Sequence, residues 1–203
     1  MVKVLLIVLS LLAQTDAARS LTGRWDVVTR SRGGIGAWLN LGAGGSCSQT
    51  TGAMLDGTWR LSDGQLTRAL VVTPEGKVET EAFTMVIEGN TLRLGPATDR
   101  PAMTRVGQPT AGASPIVGVW TWTHPTGGTA FEEYLPDGRF LFRLPIKTDP
   151  CLWVATAQQL QLTILGETRT FTWRVAGDAL TLERDGKPDA FRREQTDLST
   201  LRP

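Results

Sequence analysis

Apolar and polar residues alternate along three stretches of the chain, each bent around a pair of turn-forming residues. Asp63-Gly64 divides 58–67, Gly89-Asn90 divides 83–94 and Gly177-Asp178 divides 171–182. Such pairs predict two-residue β-hairpin turns, and counting outward from them sets the register, because residues opposite each other in an antiparallel pair share a face. Leu61 then meets Leu66, Ile87 meets Leu92, Met85 meets Leu94, Val175 meets Leu180 and Trp173 meets Leu182. Every such pair is apolar. The intervening pairs, Arg60 with Thr67, Val86 with Arg93 and Arg174 with Thr181, carry mostly polar groups to the other side, as in a sheet with one buried face.

Pro74-Glu75-Gly76 and Pro136-Asp137-Gly138 add hairpin loops in which proline presets one turn position and glycine accepts the left-handed one. Asp185-Gly186 marks another bend. Turn signals thus recur about every ten residues, the spacing of all-β sandwiches and barrels. The nearest approach to a helical period, 155–165, alternates as Gln-Leu-Gln-Leu-Thr-Ile and favours strand.

The chain also repeats itself. Leu21-Thr22-Gly23-Arg24-Trp25 recurs as Ile116-Val117-Gly118-Val119-Trp120, the hairpin 83–94 recurs as 171–182, and 101–105 resembles 188–192. Residues 107–115, rich in Gly, Pro, Ser and Thr, have linker composition. The expected organisation is a signal peptide at 1–17, a first repeat at 18–106, a linker at 107–115, a second repeat at 116–194 and a tail at 195–203. Each repeat should contribute six to eight strands in up-and-down order. Two tandem barrel-like units are expected first, and one composite barrel is the alternative, since closure removes exposed edges.

A Gly-x-Trp at the start of an up-and-down β unit, as in Gly23-Arg24-Trp25 and Gly118-Val119-Trp120, resembles the opening motif of lipocalins and the wider calycin group. Leu-Thr-Gly-Arg-Trp is also similar to the first strand of avidins and of small periplasmic inhibitors of secreted metalloproteases. The resemblance implies an up-and-down barrel in which the Trp plugs one end. It implies a fold more than an activity.

At the N-terminus, one Lys precedes an apolar run, Val4 to Ala13, that leads to small residues at Ala17 and Ala18. The run is too short to span a bilayer, so a cleaved secretory signal and a secreted or periplasmic location are expected, with no membrane span after cleavage. Removing 1–17 takes away Lys3 and Asp16, leaving 20 basic against 19 acidic residues. A balance this even generates no field to attract nucleic acid. In an exported chain, Cys47 and Cys151, one in each repeat, suggest a disulfide, with reduced thiols or an intermolecular bridge as the other options.

Candidate chemistry is sparse, and the expectation is no enzyme, no cofactor and no metal. His124 is the sole histidine, and no nucleophile motif accompanies it. Adjacent Glu132 and Glu133 point to opposite faces of a strand and cannot converge on one substrate. The glycine-rich stretch 33–45 lacks the strand-to-helix context and terminal Lys of a phosphate loop and reads as hairpin ends. Of seven tryptophans, Trp25, Trp120, Trp59 and Trp173 fall at repeated positions and read as core. Trp38, Trp122 and Trp153, without repeat partners, are the ligand-binding candidates, although Trp122 shares strand parity with Trp120. The expected function is an exported, lipocalin-like protein that binds a small apolar ligand. The alternative is an envelope module that binds an extracellular protein, such as a protease inhibitor.

Overall fold

The computed structural model describes residues 19–31, 33–73, 76–95, 101–196 and 198. The expected signal peptide, its cleavage point and most of the tail lie outside the described residues. Among the described residues fourteen strands follow one another: β1 Gly23–Val27, β2 Ile35–Leu41, β3 Ser46–Ser62, β4 Gln65–Val71, β5 Val78–Glu88, β6 Thr91–Leu94, β7 Met103–Val106, β8 Gly118–Thr123, β9 Thr129–Tyr134, β10 Arg139–Ala155, β11 Gln159–Ile164, β12 Glu167–Ala176, β13 Ala179–Arg184 and β14 Lys187–Glu194. Each strand pairs with its chain neighbours, β1 pairs antiparallel with β14 to close the order, and β10 additionally pairs with β3.

The alternation of apolar and polar residues sets the register seen. Leu61 lies opposite Leu66, Ile87 opposite Leu92, Met85 opposite Leu94, Val175 opposite Leu180 and Trp173 opposite Leu182. Asp63 and Gly64 both take positive φ (52° and 75°), the type I′ geometry whose twist matches the flanking strands. Gly138, at φ 85°, donates its N–H to Leu135 O while Leu135 N–H reaches Arg139 O, giving a turn closed by a left-handed glycine. The glycine-rich stretch is partly strand, since 35–41 forms β2.

The described residues divide into two compact units that differ from the two sequence repeats. The first draws on residues 19–29, 37–51, 147–196 and 198, and the second on 30–31, 33–36, 52–73, 76–95 and 101–146. The physical reason is the length of β3 and β10. Each runs 17 residues, about three times an ordinary strand, and each gives its halves to different units. In the first unit the pairings run β1, β2, β3, β10, β11, β12, β13, β14 and back to β1. In the second they run β3 through β10 and back to β3. Each unit therefore combines the opening strands of one repeat with the closing strands of the other.

Each unit has its own apolar core. Trp25, Leu39, Leu41, Trp153, Leu160, Leu162, Leu180 and Leu182 build the first, and Leu66, Leu92, Leu94, Met103, Trp120, Tyr134 and Phe140 the second. One turn works against its sequence. Leu165 takes φ 52° while 71% exposed, a conformation costing a non-glycine residue about 1 kcal/mol that Asn tolerates better. Leu165→Asn is expected to raise stability by about 1 kcal/mol, seen as a higher urea midpoint at unchanged slope.

Candidate functional site

Strand pairing explains why the Gly-x-Trp motif appears twice. Trp25 lies opposite Arg193 in the β1/β14 ladder, and Trp120 opposite Arg105 in the β7/β8 ladder. Each guanidinium stacks on its indole, with Cζ 4.0 Å from the Trp25 ring centroid and 4.1 Å from that of Trp120. Trp25 Nε1 donates to Leu21 O at 2.7 Å and Trp120 Nε1 to Ile116 O at 2.8 Å. Arg193 donates to Thr22 O and Ser20 O, and Arg105 to Val117 O and Pro115 O. The glycine is required by both backbone and space. Gly23 and Gly118 sit at φ 126° and 131°, and a Cβ there would lie 3.0 Å from Arg193 Nη1 or 2.8 Å from Arg105 Nη1.

The interior of the second unit holds a charged group. Arg68, only 3% exposed, is on the face that Leu66 and Leu70 turn to the core. Its Nη1 donates to Glu132 Oε2 at 2.8 Å and its Nη2 to Glu81 Oε2 at 2.8 Å. Tyr134 Oη donates to the same Glu132 oxygen at 2.8 Å. Phe83 and Phe140 flank the guanidinium at 4.7 and 4.8 Å, where ring quadrupoles favour a cation. Burial alone would lower the Arg68 pKa, but the Glu132 and Glu81 carboxylates outweigh it and the guanidinium stays charged. Burial, and then the Glu132 charge, hold the Tyr134 phenol well above its ordinary value and neutral.

Both units present an inward row that is apolar and yet half exposed. In β5 it is Phe83, Met85 and Ile87, opposite buried Leu66, Leu94 and Leu92. In β12 it is Phe171, Trp173 and Val175, opposite buried Leu160, Leu182 and Leu180. Half-buried Trp122 joins the second unit's set. Inward side chains that solvent still reaches can receive an apolar molecule.

The three candidate tryptophans have different surroundings. Trp38 is buried but pairs with Asp26, away from the core face on which Trp25 meets Leu39. Trp153 is a core residue whose Nε1 donates to Gly42 O at 2.9 Å and Ser46 O at 3.1 Å. It has a repeat counterpart after all: Trp153 lies opposite Leu162 as Trp59 lies opposite Arg68, and Trp59 Nε1 likewise donates to a turn carbonyl, that of Leu135. Trp122 is in the second unit, facing inward opposite Ala130. Trp38 and Trp153 share the first unit.

Cys47 and Cys151 are joined as a disulfide with Cα atoms 4.7 Å apart. The bond joins the two sequence repeats, yet both cysteines belong to the first unit. Beside Cys47 an open cleft of about 340 Å³ is lined by Thr22, Asn40, Ser46 and Ser48 among others. His124 sits in an exposed turn, its Nδ1 2.9 Å from Thr126 Oγ1. Glu132 and Glu133 face opposite sides, meeting Trp120 and Val119 respectively. Among the described residues no group of acidic, His and Cys side chains could hold a metal ion, and no helix is long and apolar enough to cross a membrane.

No family model, curated protein or solved structure matches the chain. Sequence reasoning passed over Arg68, Arg105 and Arg193. It aligned Arg105 with Arg192, whereas Met103 opposite Leu92 and Phe191 opposite Leu180 make Arg193 the counterpart. An Arg two residues beyond an inward apolar residue in the last strand of each repeat was the available signal.

One further ion cluster gives a pH test. Asp56 takes Arg30 Nη2 at 2.5 Å and Arg143 Nη2 at 2.8 Å. Burial pushes its carboxyl pKa up, but the two guanidiniums outweigh this and bring it down to about 2 from 3.8. With the folded value below the unfolded one, the contribution is complete above about pH 4 and is lost as pH falls through 2, a step of about 2 kcal/mol. Urea midpoints at about pH 6 and about pH 2.5 measure it, and Asp56→Asn should remove that much of the drop.

Proposed function

We propose that the protein is an exported, non-enzymatic, calycin-type β-barrel protein that binds a small apolar molecule against its inward strand faces. The observation that carries this is the pair of half-exposed apolar rows, Phe83-Met85-Ile87 and Phe171-Trp173-Val175, on the core side of their units. A row meant only for packing would be sealed, as Leu160, Leu162, Leu180 and Leu182 are. Twofold use of the Gly-x-Trp closure, each Trp capped by a stacked Arg, supports the calycin-type reading. The Cys47–Cys151 disulfide suits an oxidising compartment and so supports export.

The test is a fluorescence titration of the purified, oxidised protein with an apolar fluorophore. Trp173 and Trp122 lie on the proposed surface, so saturable quenching with energy transfer to the fluorophore is expected. Absence of saturable binding, together with no apolar molecule retained in a native mass spectrum of the exported protein, would overturn the reading.

A further inference from the structure

We infer that the second unit is the selective one, and that its interior takes an apolar molecule bearing a neutral carbonyl oxygen. This rests on the apolar-ligand reading and adds the chemistry of recognition. The protein carries its own internal control. Strand register matches each inward position of the second unit with one in the first: Arg68 with Leu162, Glu132 with Leu39, Tyr134 with Leu41 and Trp122 with Val27. Leu162, Leu39 and Leu41 are all in the first unit's buried core, and Val27 packs against it. The same strand pattern therefore folds with apolar residues at all four places.

A buried ion pair commonly adds no stability over apolar residues of similar volume. Its presence at positions that the other unit fills with leucine points to a role other than holding the sheet together. Two donors indicate the chemistry of recognition. Arg68 Nε and Trp122 Nε1 are buried and have no hydrogen-bond partner among the described residues. Each is on an inward-facing side chain of the second unit. Buried donors are normally satisfied, and one left without an acceptor is costly. The half-exposed apolar side chains Phe83, Met85, Ile87 and Trp122 supply the surface for the rest of the ligand.

The head group follows from the charges. The Arg68 guanidinium is already matched by Glu132 and Glu81, so a carboxylate added beside it would meet two like charges. An ammonium brings only donors to a place already supplied with N–H groups. A ketone, ester or lactone carbonyl accepts hydrogen bonds without adding charge.

The experiment is competition against an apolar fluorophore by nonanone, nonane, nonanoate and nonylammonium, all with one chain length. The intact protein is expected to prefer nonanone to the other three by about tenfold, the effect of one good hydrogen bond. Arg68→Leu/Glu132→Leu/Tyr134→Leu, which writes the first unit's pattern into the second but keeps Trp122, should lower the preference for nonanone over nonane to about threefold. Trp122→Phe, which keeps an aromatic surface but removes the N–H, should lower the preference about threefold, and it serves as the test if the triple variant does not fold. Binding of all four probes without preference would overturn this inference alone. A preference that survives both substitutions undiminished would also overturn it, and failure of every probe to bind would overturn the apolar-ligand reading with it.

Discussion

Reducing the Cys47–Cys151 bond is expected to cost the protein about 4 kcal/mol of stability. The bond closes a loop across 104 positions of sequence, and chain-entropy arguments give a loop of that length between about 4 and 5 kcal/mol. That is a large part of the roughly 5 to 15 kcal/mol that stabilises an ordinary domain. It ties β3 to β10 within the first unit, whose ring of pairings depends on that contact. The loss should therefore be uneven. Hydrogen exchange of the Cys47→Ser/Cys151→Ser variant is expected to accelerate more in β11–β14 than in β4–β7. Equal urea midpoints with and without reductant would contradict this account of the bond.

Gly118→Ala is expected to destabilise by about 3 kcal/mol, and Gly23→Ala by a similar amount. Each glycine occupies a backbone region essentially closed to other residues, worth 1 to about 3 kcal/mol. The added methyl would also push the guanidinium of Arg105 or Arg193 off its indole and away from the carbonyls it bonds. Gly64→Asn, in a type I′ turn with open space around the glycine, is the control, expected to change stability by no more than about 0.5 kcal/mol. Thermal unfolding of the three variants separates the cases. An Ala variant as stable as the control would mean that the Trp–Arg closure does not depend on glycine.

Local order was legible because it rests on short-range rules. The pairings of Leu61 with Leu66, Met85 with Leu94 and Trp173 with Leu182 follow from turn position and side-chain parity, which need only a few consecutive residues. The distribution of the repeats between units was not legible. Nothing in 46–62 or 139–155 says that one strand will serve two rings of pairings, because the hydrogen bonds that decide it come from residues about a hundred positions away, as Trp153 N–H to Gly45 O shows. The same gap hid the equivalence of Trp153 and Trp59, since their flanking sequences differ and only strand register and the shared turn-carbonyl bonds reveal it. Arg68 was hidden for another reason. Arginine in an alternating strand reads as outward-facing, and only the convergence of Glu132, Glu81 and Tyr134 on it makes an inward position tolerable.

The reciprocal use of the repeats also fixes how the molecule can be dissected. Trp25 of the first repeat is closed by Arg193 of the second, and Trp120 of the second by Arg105 of the first. Cutting the chain at the 107–115 linker would leave each half without its own Trp–Arg closure, whatever the sequence symmetry suggests.

The indole N–H resonances of the seven tryptophans, followed in a nitrogen-15 correlation spectrum during titration with an apolar ligand, test the account most directly. The Trp122 signal, from a buried N–H without a partner on an inward face, should move as ligand binds. The Trp38 signal, from a side chain turned away from its unit's core, should stay. Saturable binding that shifts Trp38 and leaves Trp122 unmoved would contradict the placement of the ligand against the inward strand faces.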